Sequence, residues 1–198
     1  MKGILYLRTD SPLGKTWEEW TADWWKWILE IPASSNPGYD VDGTVLSTTK
    51  QSYSDPLFLS GTYGGTTNRT IQIKKGKSLL LPIINVTTSF AEAPHLKNKA
   101  ELAAFVEDNT NDLLYKQAII DGITLDNVDQ YRVKSDFFTF TFPQNNIYDA
   151  QPGETIGISD GYWVFLKPLS AGIHTIQTLG SCLAGKIRIE VNYTIHVA

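Results

Sequence analysis

The sequence has little cysteine and little histidine: one cysteine and three histidines among 198 residues. Because Cys182 has no second cysteine to pair with, no intrachain disulfide can form. No HxH, HExxH or CxxC spacing is present, so we expect neither a bound metal nor another cofactor. A catalytic thiol would need a histidine partner and a lowered pKa. A small, partly buried and unreactive side chain is therefore the preferred interpretation of Cys182.

Long apolar runs and basic clusters are also absent. The longest uncharged apolar run, residues 79–84, is interrupted by Pro82 and is far shorter than the roughly 18–20 residues that span a bilayer. The N-terminus lacks the long apolar segment and small-residue cleavage site of a signal peptide, and it predicts a first strand instead. The net charge of −4 and the absence of a Lys/Arg-rich run argue against nucleic-acid binding. We expect a soluble protein whose cellular compartment the sequence does not reveal.

Tryptophan, by contrast, is concentrated: five of the six lie within residues 17–27. Thr16 and Glu19 have the spacing of a capping box, and Pro32 supplies a stop, which together predict a helix over residues 16–31. At 100° per residue, one apolar face about 100° wide carries six side chains, namely Trp17, Trp20, Trp24, Trp27, Ile28 and Ile31. We expect this face to be covered by a sheet. Trp25 lies at its border and is a candidate for a ligand or subunit contact.

The rest of the chain has the pattern of short strands separated by turns. Residues 138–142 and 186–197 alternate strictly between apolar and polar side chains, as strands with one buried face do. Turns at Lys75-Gly76 and Asp121-Gly122 predict hairpins, and Asn98 predicts the start of a second helix over residues 98–117. Nine or ten strands without a βαβ rhythm predict a mainly β, antiparallel sandwich or jelly roll, formed by a single domain of residues 1–198.

Three residues are candidates for an enzymatic site. His174 lies on the same predicted strand face as Ile176, where it is either a structural histidine or a general acid or base. Arg69 follows a glycine-rich turn and could bind an anion. Asp160 precedes Gly161 in a predicted turn, where it either caps its own loop or orients a catalytic histidine. Other motifs are weak, because the sequence has no GxSxG or GxxxxGK[ST], and its acidic loops lack the full calcium-binding pattern.

Several blocks together resemble a family of uncharacterised, commonly exported bacterial proteins that are rich in β structure. The main matching blocks are Gly14-Lys-Thr-Trp-Glu-Glu-Trp, Trp24-Trp25-Lys26-Trp27, Asp160-Gly161-Tyr162-Trp163, Lys167-Pro168-Leu169 and His174-Thr175-Ile176. The resemblance implies one β-rich domain and an exported location, but no activity and no catalytic residues. Members of the family often carry two cysteines where this chain has Leu46-Ser47 and Thr70-Ile71, so the disulfide that the resemblance implies is absent here.

These observations favour a non-catalytic β-sandwich that serves as a binding or structural module. A small organic molecule or a saccharide is the expected ligand, with Arg69, Trp25 and Trp163 as candidate binding residues. The alternative is a hydrolase or lyase in which His174 is the acid or base, Asp160 orients it and Arg69 holds an anion. That alternative requires the three side chains to converge on one pocket. A further alternative is a structural protein that forms a homo-oligomer.

Overall fold

The computed structural model describes residues 3–51, 55–182 and 187–198. Within these ranges the chain forms three α-helices and ten strands. The helices are α1 (Trp17–Leu29), α2 (Thr44–Thr48) and α3 (Lys99–Asn111). The strands are β1 (Leu57–Phe58), β2 (Gly65–Ile73), β3 (Leu79–Ser89), β4 (Tyr115–Ile120), β5 (Ile123–Thr124), β6 (Arg132–Lys134), β7 (Phe138–Phe142), β8 (Gly153–Leu166), β9 (Gly172–Cys182) and β10 (Ile187–Val197).

The described strands form two five-stranded sheets. Sheet A has the order β1-β3-β8-β6, with β7 also paired to β8, and sheet B has the order β2-β10-β9-β4-β5. The pairings are antiparallel except for β1 with β3 and β2 with β10, which are parallel. The predicted mainly β fold with two helices packed on it is confirmed, although each sheet is mixed rather than purely antiparallel. The jelly-roll connectivity stays a prediction.

The two sheets approach closely where β3 meets β9. A Cβ atom added to Gly180 would lie 2.6 Å from the Cβ of Ile84, so only glycine allows this distance between the sheets. Tyr193 and Ile195 of sheet B and Val164 and Phe165 of sheet A belong to the same buried core. The arrangement is that of a sandwich whose two layers share one apolar interior.

The tryptophan face of α1 packs on sheet A. Thr16 and Glu19 form the predicted capping box, with both reciprocal hydrogen bonds present, and the helix ends at Leu29. The ring of Trp17 packs edge-to-face on Phe165 at 5.5 Å between centroids. Trp24 packs in the same way on Trp163 at 5.2 Å. The predicted burial of this face under a sheet is therefore confirmed.

The same tryptophans also hold the surrounding loops through their indole N–H groups. Each of four indoles donates to a backbone carbonyl outside the helix, at distances from 2.7 to 3.2 Å, in the pairs Trp17 to Leu7, Trp20 to Pro12, Trp24 to Leu59 and Trp27 to Lys50. A buried indole needs such an acceptor. The helix therefore fixes loop backbone as well as filling the core.

Several predicted local structures differ from those observed. In the described part of the N-terminus, the predicted first strand is reduced to a single bridge between Leu5 and Leu166. The turn at Lys75-Gly76 does not join a hairpin, because β2 belongs to sheet B and β3 to sheet A, and the chain crosses between the sheets there. The backbone N–H of Lys75 instead donates to the carbonyl of Ala198 at 2.7 Å. The second helix ends at Asn111 rather than near Gln117, which pairs with Leu179 as part of β4.

Two other predictions are confirmed. Asp121 and Gly122 have φ angles of 50° and 76°, as a type I′ hairpin turn requires, and they join β4 to β5. The last strand is buried on one face from Val191 to Val197, whereas Ile187 is 40% exposed. The predicted start of that strand at Lys186 lies outside the described residues.

We expect the Trp24→Ala variant to lose about 3–5 kcal/mol of unfolding free energy, because it removes a buried ring and leaves a cavity beside Trp163. Chemical denaturation measures this loss. Leu114→Ala is the control, since Leu114 is 64% exposed and its truncation should cost less than about 0.5 kcal/mol. Equal stability of the two variants would contradict the packing of α1 on sheet A.

Candidate functional site

His174 lies in β9 and is bound to the turn between β4 and β5. Its Nδ1 lies 2.7 Å from Oδ2 of Asp121. Its Nε2 lies 3.2 Å from the Ser170 hydroxyl and 3.1 Å from the Ser170 carbonyl oxygen. Asp121 also accepts a hydrogen bond from the backbone N–H of Thr175 through its other oxygen, at 2.8 Å. The imidazole therefore connects one turn to the loop before its own strand.

Ser170, His174 and Asp121 have the residue types of a hydrolase triad, and the hydrogen bonds of the histidine bear on which proton transfer it could perform. Both ring nitrogens face oxygen acceptors, an arrangement that favours the doubly protonated ring. The hydrogen bond to Asp121 raises the pKa of His174 above its ordinary value. A doubly protonated ring has no free lone pair with which to deprotonate Ser170, but it can donate a proton. These contacts are structural, and the role of His174 as an acid or base stays a prediction.

Arg69 is buried in the interior and bonded throughout to the protein itself. Its guanidinium donates to the carbonyl oxygens of Asp40, Ser60 and Gly61 at 2.8, 2.7 and 3.0 Å. It also donates to the Tyr193 hydroxyl at 2.8 Å. The side chain is 1% exposed, and its hydrogen bonds hold the loop that contains Asp40 against the loop that contains Ser60 and Gly61. Its anion-binding role stays a prediction.

Asp160 lies inside β8, so the predicted turn at this residue is wrong. The strand begins at Gly153, and its first half mixes glycine, polar and isoleucine residues without the apolar–polar alternation that would predict a strand. The carboxylate accepts hydrogen bonds from Nε and Nη2 of Arg132, with the shorter contact at 2.7 Å. Its side chain is 2% exposed and is neutralised by this ion pair. The orienting role of Asp160 stays a prediction.

Within the described part of the chain, His174, Arg69 and Asp160 have no hydrogen-bond or ion-pair partner in common. The sequence pattern does not reveal the partners of two of them, Asp121 for His174 and Arg132 for Asp160. Each partner is far from its counterpart in sequence, and only the strand pairing brings them together. Nothing in the described contacts gathers the three candidate catalytic residues into one constellation.

A cavity of about 320 Å³ lies between α1, sheet A and sheet B. Side chains of α1, β3, β9 and β10 form its walls, together with residues that follow β1 and precede β8. Most of the lining is aromatic or aliphatic, and representative members are Trp25, Tyr63, Ile84, Asn85, Tyr148 and Cys182. Tyr63 and Tyr148 are 38% and 37% exposed, whereas Ile84 is 4% exposed. The cavity therefore extends from the buried core to the surface.

Two buried hydrogen-bond donors in residues that line this cavity have no partner among the described residues. They are Nε1 of Trp25 and Nδ2 of Asn85, each with less than 1 Å² of accessible surface. Nε1 of Trp163, which does not border the cavity, is unbonded in the same way. Trp25 is only 4% exposed, so it is buried in this chain rather than presented to a second subunit. Leaving a buried donor unbonded costs about 1–3 kcal/mol of folding free energy. This cost sets Trp25 apart from the four tryptophans of α1 that bond to loop carbonyls.

The cavity carries little charge and no activated nucleophile. Asp112 is the only charged residue in its described lining, and it is exposed. Burial raises the pKa of the Cys182 thiol, which disfavours the reactive thiolate. The prediction of an unreactive Cys182 agrees with this environment.

Trp163, the third predicted ligand-binding residue, is completely buried against Trp24. It is not part of the cavity lining, and neither is Arg69. Of the three predicted ligand-binding residues, Trp25 alone borders the cavity. The sequence singles out Trp25 among the helix tryptophans because the helical periodicity places it at the border of the apolar face rather than within it.

Comparison with protein-family models, with curated proteins and with solved structures found no match. The candidate site is therefore defined by its own geometry.

Within the described ranges, none of the helices has the length and apolar character needed to cross a bilayer. The same residues contain no group of three or more His, Cys, Asp or Glu side chains placed to hold a metal ion. In the acidic loop at residues 40–43, the Asp40 carboxylate accepts hydrogen bonds from the backbone N–H groups of Gly43 and Leu46, as the side chain of a turn aspartate does.

The contact between His174 and Asp121 predicts a pH dependence of stability. Because the folded-state pKa is raised above the ordinary value of 6.5, the contact stabilises the fold fully below that pH. The stabilisation is lost as the pH rises through the folded-state pKa. We expect the difference in unfolding free energy between wild type and Asp121→Asn to shrink over that range.

Chemical denaturation of both proteins at a series of pH values from about 5 to 9 measures this difference. The comparison is needed because burial raises the pKa of Glu92 to about 7, and Glu92 titrates in both proteins. A difference that stays constant across the series would contradict the assigned contact.

Arg69→Lys should lose at least about 3 kcal/mol of unfolding free energy, because one ammonium group cannot reach the acceptors that the guanidinium fork serves. Arg188→Lys is the control, since Arg188 is exposed and its single ion pair, at 3.5 Å, is worth little. Urea denaturation compares the two. Similar losses in both variants would show that Arg69 does not organise the loops.

Proposed function

We propose that this protein is a non-catalytic binding protein that holds a small, largely apolar organic molecule in the cavity beside Trp25. The observation that carries the proposal is the cavity itself. Its volume of about 320 Å³ falls in the range of small-molecule sites, which are concave, mostly apolar and bordered by a few polar groups. Each 1 Å² of apolar ligand surface removed from water would contribute about 25 cal/mol.

The titratable groups around the cavity support binding rather than catalysis. Desolvation raises the pKa values of the Tyr63 and Tyr148 hydroxyls and of the Cys182 thiol, although the two tyrosine side chains are partly exposed, so all three groups stay protonated at neutral pH. The hydrolase or lyase alternative rests on His174, Arg69 and Asp160, whose polar atoms are engaged in separate structural contacts. Binding requires no proton transfer, and the mostly aromatic and aliphatic lining is suited to it.

The lining also favours a small organic molecule over a saccharide. A saccharide carries many hydroxyl groups, and each one that enters a cavity needs a hydrogen-bond partner. The inner walls consist mainly of Ile84, Val191 and the aromatic rings, which offer few such partners. The ligand class that fits is therefore apolar over most of its surface.

Fluorescence titration with the neutral probe N-phenyl-1-naphthylamine tests the proposal. Ile189 lines the cavity from β10, and Arg188 points to the other face of the same strand, where it is exposed. Ile189→Trp should fill the cavity and weaken probe binding at least tenfold, whereas Arg188→Trp should bind as wild type does. Thermal melts of both variants establish that they are folded.

Saturable binding of one probe per chain, lost in Ile189→Trp alone, is the expected result. Absence of saturable binding to wild type would overturn the proposal. Equal affinity of both variants would also overturn it, since the probe would then bind elsewhere.

A further inference from the structure

One wall of the cavity is the edge of a strand. Five consecutive residues of β3, Pro82 to Val86, line the cavity. The side chains of a strand point alternately to its two faces, so five consecutive residues border one cavity along the edge of the strand. The burial along β3 agrees, because Asn85, Val86 and Thr87 are all half-buried whereas the residues before them are buried. The backbone of β3 is therefore accessible from the cavity.

This edge is open because β1, which pairs with the first residues of β3, ends early. The last hydrogen bond between the two segments in the described ranges runs from the N–H of Leu59 to the carbonyl of Leu80, at 2.9 Å. The next residue that points to this edge is Pro82, which has no N–H to donate. The chain after β1 then leaves β3, since Arg69 binds the carbonyl of Ser60.

The register with β8 shows which backbone groups point to the open edge. The carbonyl of Ser159 accepts a hydrogen bond on the far side of β8, so the next residue, Asp160, points to β3. Its partner there is Val86. The N–H and C=O groups of Asn85 and Thr87 alternate with that residue and therefore point away from β8. No described residue bonds to them.

Unpaired groups of this kind are a template for an added strand. Two N–H and two C=O groups at alternate residues match a partner segment of about three residues. The volume of about 320 Å³ between α1 and sheet B admits one short segment rather than the edge of another folded domain.

The rest of the lining indicates the side chains and the charge of such a segment. The walls on both faces of the edge are mostly aromatic or aliphatic, which favours apolar side chains. The described lining contains no lysine, arginine or histidine, and Asp112 is its one charged residue. A free terminal carboxylate would lose its hydration there without gaining a counter-charge.

We propose that the cavity binds a short, apolar, uncharged peptide segment as an added strand on the open edge of β3. This inference rests on the binding function proposed above and specifies its ligand. The peptide backbone bonds to that of Asn85 and Thr87, and its side chains point alternately to α1 and to sheet B. The backbone bonds select an extended conformation, and the walls select apolar side chains.

The peptide N-acetyl-Val-Leu-Val-amide and its three singly N-methylated isomers test the inference, with displacement of N-phenyl-1-naphthylamine as the readout. The isomers keep all side chains, and successive N–H groups of an extended peptide point to opposite edges. We expect N-methylation to weaken binding at least about tenfold either at the middle residue alone or at both outer residues. The remaining positions should stay within about threefold of the parent, because their N–H groups face away from β3.

Amide hydrogen exchange tests the pairing from the side of the protein. At saturation with the parent peptide, the N–H groups of Asn85 and Thr87 should exchange at least about tenfold more slowly relative to that of Val86, which already points to β8. This internal reference removes the general stabilisation that any ligand gives. N-phenyl-1-naphthylamine has no carbonyl acceptor and is the control, which should leave the ratio within about twofold.

Other outcomes separate this inference from the proposed function. If N-phenyl-1-naphthylamine binds but the peptide does not displace it, the cavity binds ligands and the added strand is wrong. Equal effects of N-methylation at all three positions, or an unchanged exchange ratio at saturation, would also overturn it. Slowing that follows protein concentration rather than added peptide would assign the edge to a second copy of the chain instead. If neither ligand binds wild type, the inference and the proposed function fail together.

Discussion

The burial of the tryptophan face of α1 on sheet A is the interaction on which the rest of the structure depends. Edge-to-face contacts with Trp163 and Phe165 join the helix to the long central strand β8. The indole N–H groups then fix loop backbone, and the carbonyl of Leu59 is held directly before the loop that forms one wall of the cavity. A single helix therefore sets the core, the adjacent loops and the position of Trp25.

Arg69 complements this apolar interaction from the opposite sheet. It donates to the carbonyls of Ser60 and Gly61, and Gly61 is part of the cavity lining. The guanidinium and the Trp24 indole thus hold the same loop from two sides. Because both anchors are buried, the wall is fixed before any ligand binds, which reduces the ordering cost of binding.

The sequence revealed periodic features well and long-range partners poorly. The helix that Thr16 caps and the alternation of the last strand follow from local patterns, and both are present. The hairpin at Lys75-Gly76 was wrong because the turn sequence does not encode which sheet the next strand joins. Asp160 was misplaced because the strand around it has no clear alternation. The cavity could not be predicted at all, since its walls come from segments far apart in the chain, although the helix phase did single out Trp25.

The central claim is that α1, whose indoles are bonded to loop backbone at four positions, leaves a cavity lined by Trp24 and Trp25 that binds a small organic molecule. The indole N–H resonances in a ¹H–¹⁵N correlation spectrum, assigned by single Trp→Phe variants and followed during titration with N-phenyl-1-naphthylamine, test this claim most directly. The account predicts a saturable shift of the Trp24 and Trp25 resonances, because their rings line the cavity, while those of Trp17, Trp20 and Trp27 stay in place. A Trp25 resonance that does not respond, or equal shifts at all of them, would contradict it.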